Sequence, residues 1–361
     1  MPICCYSRAI LGYGWNDALK QIHKRGHLLI LLVALHVPIL LAGFFAPYGF
    51  SEQNREQPFA PPSRIHLVDA QGKFHLRPFV YGLKNDPDSF EAYIADPQQI
   101  YPLRFFVRGA SYELIGFIPA NVHLFGADDP GRVFLMGTDG YGRDQFSRFV
   151  YGGQISLAAG IIAAAFSLLV GTAIGAFAGF SGGWIDNLVM RGGDIFLALP
   201  WLYLLFAVRS ALPLHIAQWQ VFLLLVAVIG LIGWARPARL IRGVVLSAKE
   251  RNFVSAARGF GASDFYLLRR HVLPQTYGVL LTQMTLLIPQ YILAEVTLTF
   301  LGLGVGEPMP SWGSLLSVLQ QYYVLSSYWW MFLPAILLIP LFFAYFWTAD
   351  ALQEHLKLVL L

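Results

Sequence analysis

Charge is scarce in this chain and cysteine almost missing. Charged residues make up 13% of 361 positions, and the 2 cysteines, Cys4 and Cys5, are neighbours. Adjacent cysteines are poorly placed to bond each other, so they read as two incidental thiols in a reducing compartment. No GxxxxGK[ST] occurs, and the nearest approach, Gly72–Lys73, is followed by Phe74. Without that phosphate cradle the chain does not bind and hydrolyse ATP by a P-loop. HExxH, CxxC and GxSxG are missing as well. The 9 histidines are scattered, leaving no catalytic constellation and no metal site. These absences disfavour an enzyme. The lack of an internal repeat disfavours a secondary transporter built from two similar halves.

Apolar surface, by contrast, is abundant. Hydrophobic residues are 56% of the chain and the mean hydropathy is +0.55, outside the ordinary soluble range. A bilayer crossing takes roughly 20 mostly apolar residues per helix. Six segments qualify: His27–Pro47, Ile155–Phe180, Asp194–Leu212, Trp219–Trp234, Gly278–Leu301 and Trp329–Trp347. The fourth is short, and Pro200 interrupts the third. An all-α membrane protein with six transmembrane helices is therefore predicted. The first span follows Lys20, Lys24 and Arg25 and lacks a small-residue cleavage site, so it reads as a retained helix. Segment 236–271 holds eight Lys and Arg against Glu250 and Asp264, whereas 303–328 has Glu307 as its only charge. Lysine and arginine collect in cytoplasmic loops, which places 236–271 inside, 303–328 outside and both termini in the cytoplasm. The pI near 9.0 is then a topology signal, and nucleic acid is not an expected partner. The expected organisation is a cytoplasmic segment 1–26, a first helix 27–47, an external insert 48–150, and a core 151–361. That core has five helices and a cytoplasmic loop at 236–275.

The insert is rich in proline, acids and aromatics. Residues 64–78 alternate in polarity around Asp69–Gly72, the pattern of a β-hairpin, with His66 and His75 on opposite arms facing each other. Residues 101–109 and 112–117 suggest a second strand pair. Phe79, Tyr81, Tyr101, Phe105 and Phe106 are expected to be exposed anchors.

The basic loop has the shape of a docking element. Two helix-forming stretches meet at Gly261, where a missing side chain permits a sharp reversal, and Pro274 marks the return toward the bilayer. A short helix lying along the membrane presents one face to a groove on a partner. Ala256 and Ala257 allow close approach, Phe253 and Phe260 supply apolar anchors, and Arg258 reaches a carboxylate. Phe265, Leu267, Leu268 and Val272 are expected to hold the second helix on the bundle. Charges inside spans are costly and need a role. Glu295 either faces a translocation path or pairs with a helix, such as one of a partner permease, and Arg191 with Asp194 three residues later reads as a structural ion pair. Gly171, Gly175 and Gly179 form a ridge for close helix contact. Pro200, Pro289, Pro334 and Pro340 are expected to bend their helices, and the Trp and Tyr residues around 322–330 fit an interfacial belt.

Four stretches together resemble one family. They are GlyThrAspGlyTyrGlyArgAspGlnPheSerArg (137–148), GlyGlyTrpIleAspAsnLeuValMetArgGlyGlyAspIlePheLeuAlaLeuPro (182–200), SerAlaAlaArgGlyPheGly with HisValLeuPro (255–274), and ThrPheLeuGlyLeuGlyVal with ProSerTrpGly (299–313). In this order they are similar to the inner-membrane permease subunits of ABC importers for dipeptides, oligopeptides and nickel, specifically the second of the two permease types. The resemblance implies the type I importer permease fold with a β-containing external insert between the first two helices. It also implies an EAA-type coupling loop carried by Phe253, Ser255, Ala256, Ala257, Arg258, Phe260, Gly261, Asp264, His271, Leu273 and Pro274. Implied partners are a second homologous permease, two cytoplasmic ATPase subunits or one fused chain, an extracytoplasmic solute-binding protein and the lipid bilayer. ATP and magnesium would be held by the ATPases. Two departures stand out. Ser255 occupies the position where the family usually has Glu. The insert is longer than in dipeptide permeases, as in the branch taking longer peptides and microcin C.

Overall fold

The computed structural model describes residues 30–85, 93–114, 116–198, 200–210 and 217–360. Cys4, Cys5, Lys20, Lys24, Arg25, the 1–26 segment, the start of the first span and Leu212 at the end of the third lie outside the described residues.

Helix α1 (Ile30–Leu40) and the single turn α2 (Ala42–Phe45) precede five strands: β1 (His66–Val68), β2 (Phe74–Asn85), β3 (Tyr93–Pro102), β4 (Arg104–Leu114) and β5 (Ile118–Gly126). The antiparallel order β1-β2-β3 forms one sheet, and β4-β5 a separate ribbon. The β1–β2 turn follows from its residues. Asp69 Oδ1 accepts from the backbone N–H of Gln71 at 3.0 Å and of Lys73 at 2.8 Å, and Gly72 takes the left-handed φ of 80°.

Several expectations change here. Residues 101–109 and 112–117 do not pair with each other. Residues 104–109 and 112–114 belong to one strand, β4, with an irregularity between Arg108 and Tyr112, and its partner is β5, while Tyr101 and Pro102 end β3. Small residues Gly109, Ala110 and Ser111 interrupt the strand signal without interrupting the strand. His66 and His75 do not face each other: His75 Nε2 lies 2.8 Å from Asp69 Oδ2, while the His66 ring stands against Phe79 and Tyr81. Phe79 is no surface anchor, being 1% exposed. Phe105 and Phe106 are exposed, and Tyr81 and Tyr101 are half-buried.

The helical part is organised around α3 (Gln145–Ser181), 37 residues long and so about 55 Å from end to end. Asp144 caps its start, accepting from Ser147 N at 2.8 Å. After it come α4 (Gly183–Ala198), α5 (Trp201–Ser210), α6 (Gln218–Gly233), α7 (Ala235–Lys249), α8 (Asn252–Gly259), α9 (Asp264–Leu267), α10 (Tyr277–Phe300), α11 (Trp312–Ser317), α12 (Tyr322–Ser327) and α13 (Leu333–Leu360). The third expected span is two helices, α4 and α5, parted at Pro200, because the residue before proline is driven out of helical geometry. The fourth continues at a 43° bend into α7. Segment 236–249, within the first of the two helix-forming stretches expected in the basic loop, is a helix that continues α6. Pro237 sits in its first turn, where no N–H is needed, and Ala238, Ile241, Val245 and Ala248 recur at helical spacing and are buried. Pro334 is the second residue of α13 and starts that helix, whereas Pro289 and Pro340 lie inside theirs.

Against six expected spans, three helices among the described residues are long and apolar enough to cross a membrane: Gln145–Ser181, Asp264–Phe300 and Trp329–Glu354. The bent pair α6–α7 gives a fourth, and α1 is a shorter apolar helix.

Two contacts fix the bundle. Ala159, Ala163 and Leu168 of α3 meet Leu225 and Ile229 of α6 and Leu287, Tyr291 and Leu298 of α10. The glycine ridge of α3 lies on α7: a Cβ at Gly171 would stand 2.9 Å from Trp234 O, one at Gly175 would run into Ala238 O, and one at Gly179 would meet Arg242 O. Glycine is needed because two backbones touch there.

Candidate functional site

Beyond α7 the chain leaves the bundle and returns. Helix α8 is held mainly by Val254, which is fully buried with Ile241 and Val245 of α7 and with Leu267 and Val272, and Ala257 packs beside it. The helix ends in a glycine-terminated cap: Ala262 N donates to Ala257 O at 3.1 Å, Gly261 N to Arg258 O at 2.9 Å, and Gly261 has φ 86°. Ser263 then caps α9 by accepting from Tyr266 N. A short π-helical turn, Leu268–Val272, and a 3-10 turn, Leu273–Thr276, lead into α10. Pro274 lies in the first turn of the latter, where it needs no backbone donor.

The result is an outcrop with an apolar crown. Phe260 is 93% exposed and Phe265 72%, and Phe253 and Tyr266 are also exposed. The expectation that Phe265 packs onto the bundle is corrected. Leu267 and Val272 take that role with half-buried Leu268, because their spacing turns them inward while Phe265 points away. Ser255, Ala256 and Arg258 are exposed, and Ala257, Leu273 and Pro274 are half-buried. Arg258 Nη2 reaches Asp264 Oδ1 at 3.3 Å across the turn. Both groups are solvated, so the pair adds little stability. His271 sits half-buried between the rings of Phe253 and Tyr266, at 6.1 and 5.6 Å, tying the two limbs together.

The other predicted residues fall elsewhere. Asp194 does not pair with Arg191. It is bonded to Arg239 of α7, while the neighbouring Asp186 takes both Arg242 nitrogens at 2.5 Å. These pairs lace α4 to α7. Glu295 sits between helices of this chain. It is fully buried inside this bundle, accepts from Thr299 Oγ1 at 2.8 Å and has Ser156 and Ser311 beside it. Among the described residues no group of three or more His, Cys, Asp or Glu could hold a metal ion.

One cluster escaped the sequence reading. Arg143 Nε donates to Asp139 Oδ2 at 2.7 Å, and its Nη1 and Nη2 donate to Glu307 at 2.8 and 3.1 Å. Arg148 Nη2 donates to Glu307 Oε1 at 2.9 Å. Burial pushes the Glu307 carboxyl up, but the two guanidiniums outweigh it and hold the group below the ordinary carboxylate range. This clasp ties the start of α3 to the segment after α10. Its signal was present: a lone acid in an otherwise uncharged stretch needs a cation, and residues 137–148 offer two.

Asp144, beside the clasp, is fully buried, and desolvation pushes its carboxyl from 3.8 up to about 7. The folded chain therefore holds a proton between about pH 4 and 7 that the unfolded chain has released. Over that window the group's contribution to stability falls as pH rises, by at most about 1.4 kcal/mol per pH unit, and is flat above it. Asp144→Asn keeps the capping oxygen and removes the titration. Melting temperature of the detergent-solubilised chain should depend less on pH between 4 and 7 in that variant, and an identical slope would refute the assignment.

The comparisons follow from this architecture. Residues 171–358 match the family described as "Binding-protein-dependent transport system inner membrane component". The dipeptide transport system permease protein DppC of Bacillus subtilis is 36% identical over 228 residues, covering 63% of this chain and 69% of that protein. The oligopeptide transport system permease protein OppC of the same organism is 35% identical, covering 66% and 76%. An inward-facing structure of the MetNI methionine ABC transporter is 19% identical, covers 57% of this chain and 95% of that one, and has a TM-score of 0.42, too low a likeness to carry weight.

Proposed function

Because this chain belongs to the family of binding-protein-dependent transport system inner membrane components, we propose that it is a permease subunit of an ATP-binding cassette importer for peptides. It is a transport subunit rather than an enzyme, and ATP hydrolysis belongs to separate subunits. The observation that carries the coupling role is the α8–Gly261–α9 outcrop. Exposed Phe253, Phe260 and Phe265 surround a turn anchored to the bundle through Val254, Leu267 and Val272. Apolar rings held on a short helix suit a groove on a cytoplasmic ATPase, and Ser255, in place of an acid, removes one polar contact and leaves the apolar ones.

The excess of Lys and Arg in 236–271 supports a cytoplasmic location for this outcrop and an external one for strands β1–β5. A second, homologous permease would complete the path, and substrate would arrive on an extracytoplasmic binding protein. Short peptides are the first expectation, longer or modified peptides the second and nickel chelates the third. Uptake of labelled dipeptide into proteoliposomes holding the chain with its partner permease, ATPases and binding protein tests the assignment. ATP-dependent accumulation is expected, and none with any peptide length would sink it.

Phe105 and Phe106, adjacent and exposed on β4, suit the binding protein's surface. Replacing both with Ser should weaken binding of that protein about tenfold in a surface-immobilised assay. Unchanged affinity with full transport would make the strands a decoration.

A further inference from the structure

At the junction of the β1-β2-β3 sheet with the turn before α13 lies a cavity of about 340 Å³, whose lining includes Ser63, Arg64, Tyr81, Leu83, Ile94 and Trp329. It falls within the size range of small-ligand sites. Its walls are fixed before any ligand arrives. Ser63 is bonded twice to Phe134, N to O at 2.7 Å and Oγ from N at 2.9 Å, which pins the Pro61–Ser63 wall. Tyr93 donates its hydroxyl to Pro58 O at 2.8 Å, which fixes that ring. Among the described residues no carboxylate lines the cavity. Arg64, on its rim, has no acidic partner among the described residues. The Tyr81 hydroxyl already accepts from Ala70 N at 2.9 Å, so its own proton is free to donate. Leu83, Ile94 and Trp329 supply apolar and aromatic surface.

From these features we infer a binding site for a small organic carboxylate with an aromatic or apolar body. The carboxylate meets Arg64 and the Tyr81 hydroxyl, and the body rests on Leu83, Ile94 and Trp329. A cation would fit the rings alone, but Arg64 opposes it and no acid among the described lining residues compensates. A charge-assisted contact to a guanidinium favours a carboxylate over its neutral amide by about tenfold. Occupancy would join the sheet to the helix that begins just after Trp329.

The site does not depend on the transport reading, since binding is measured without transport. The full chain in detergent is titrated with N-acetylphenylalanine, N-acetylphenylalaninamide and phenethylamine by saturation-transfer NMR. The carboxylate should bind about tenfold tighter than the amide, and the amine weakest. Arg64 is exposed, so Arg64→Gln should fold normally and abolish the preference, while Trp329→Ala should weaken acid and amide alike. A decapeptide ending in phenylalanine separates a free ligand, which it would not match, from the terminus of a longer chain, which it would. Equal binding of acid and amide, tighter binding of the amine, or an intact preference in Arg64→Gln overturns the assignment.

Discussion

Replacing Gly261 by Val should abolish stimulation of ATP hydrolysis by the loaded binding protein while leaving the subunit at its normal level in the membrane. No atom lies within 4 Å of a Cβ built at this position, so crowding is not the cause. The cause is the φ of 86°, which costs an L-residue about 1–2 kcal/mol and a β-branched one more. The cap between α8 and α9 would open to relieve that strain and shift Phe260, at its apex, relative to Phe265. Gly259 is the control. It also has open space around it but no positive φ, and it lies within α8, so Gly259→Ala should be neutral or slightly stabilising. A reconstituted complex in which Gly261→Val is stimulated as strongly as Gly259→Ala would refute a requirement for this turn.

The clasp at the head of α3 should be asymmetric. Glu307→Ala leaves two guanidiniums with only Asp139, and the Arg148 side chain is 2% exposed, out of reach of water. Stranding a buried cation costs about 3–5 kcal/mol when burial is complete. The Glu307 side chain is 52% exposed, so a discount to about 2 kcal/mol is appropriate. Arg148→Met leaves Glu307 paired with Arg143 and open to water, and fills the space with an apolar chain, so the loss should be smaller. Thermal unfolding in detergent should rank wild type above Arg148→Met above Glu307→Ala. The opposite order would mean that the half-open carboxylate, rather than the guanidiniums, governs the clasp.

What could be read from residues alone was local. Gly261 was legible because a sharp helix reversal needs positive φ, and the Asp69–Gly72 turn because an Asp side chain and a glycine build it without outside help. The ridge of Gly171, Gly175 and Gly179 announced a close contact but not its partner, since spacing on one helix does not say that α7 lies against it. The first helix-forming stretch before Gly261 was legible, but not its division into α7 and α8 or the continuity of α7 with α6. Partners distant in sequence were the main loss. Arg239 lies 45 residues from Asp194, and Arg143 lies 164 from Glu307. A short-range rule favoured Arg191 where the fold supplied Arg239. Glu295 was left with two readings for the same reason, since only the packed bundle places Ser156 of α3 and Ser311 beside it.

The length of α3 has a mechanical consequence. Near its head the clasp grips it, and toward its tail the ridge is in backbone contact with α7, whose far end leads to the outcrop. A continuous helix of about 55 Å is far stiffer along its axis than the turns at either end. With the clasp as fulcrum, a rotation of about 5° sweeps the tail through roughly 5 Å, about one helical turn. Any tilt of α3 about the clasp would thus displace its tail by a distance set by the helix's length rather than by its flexing.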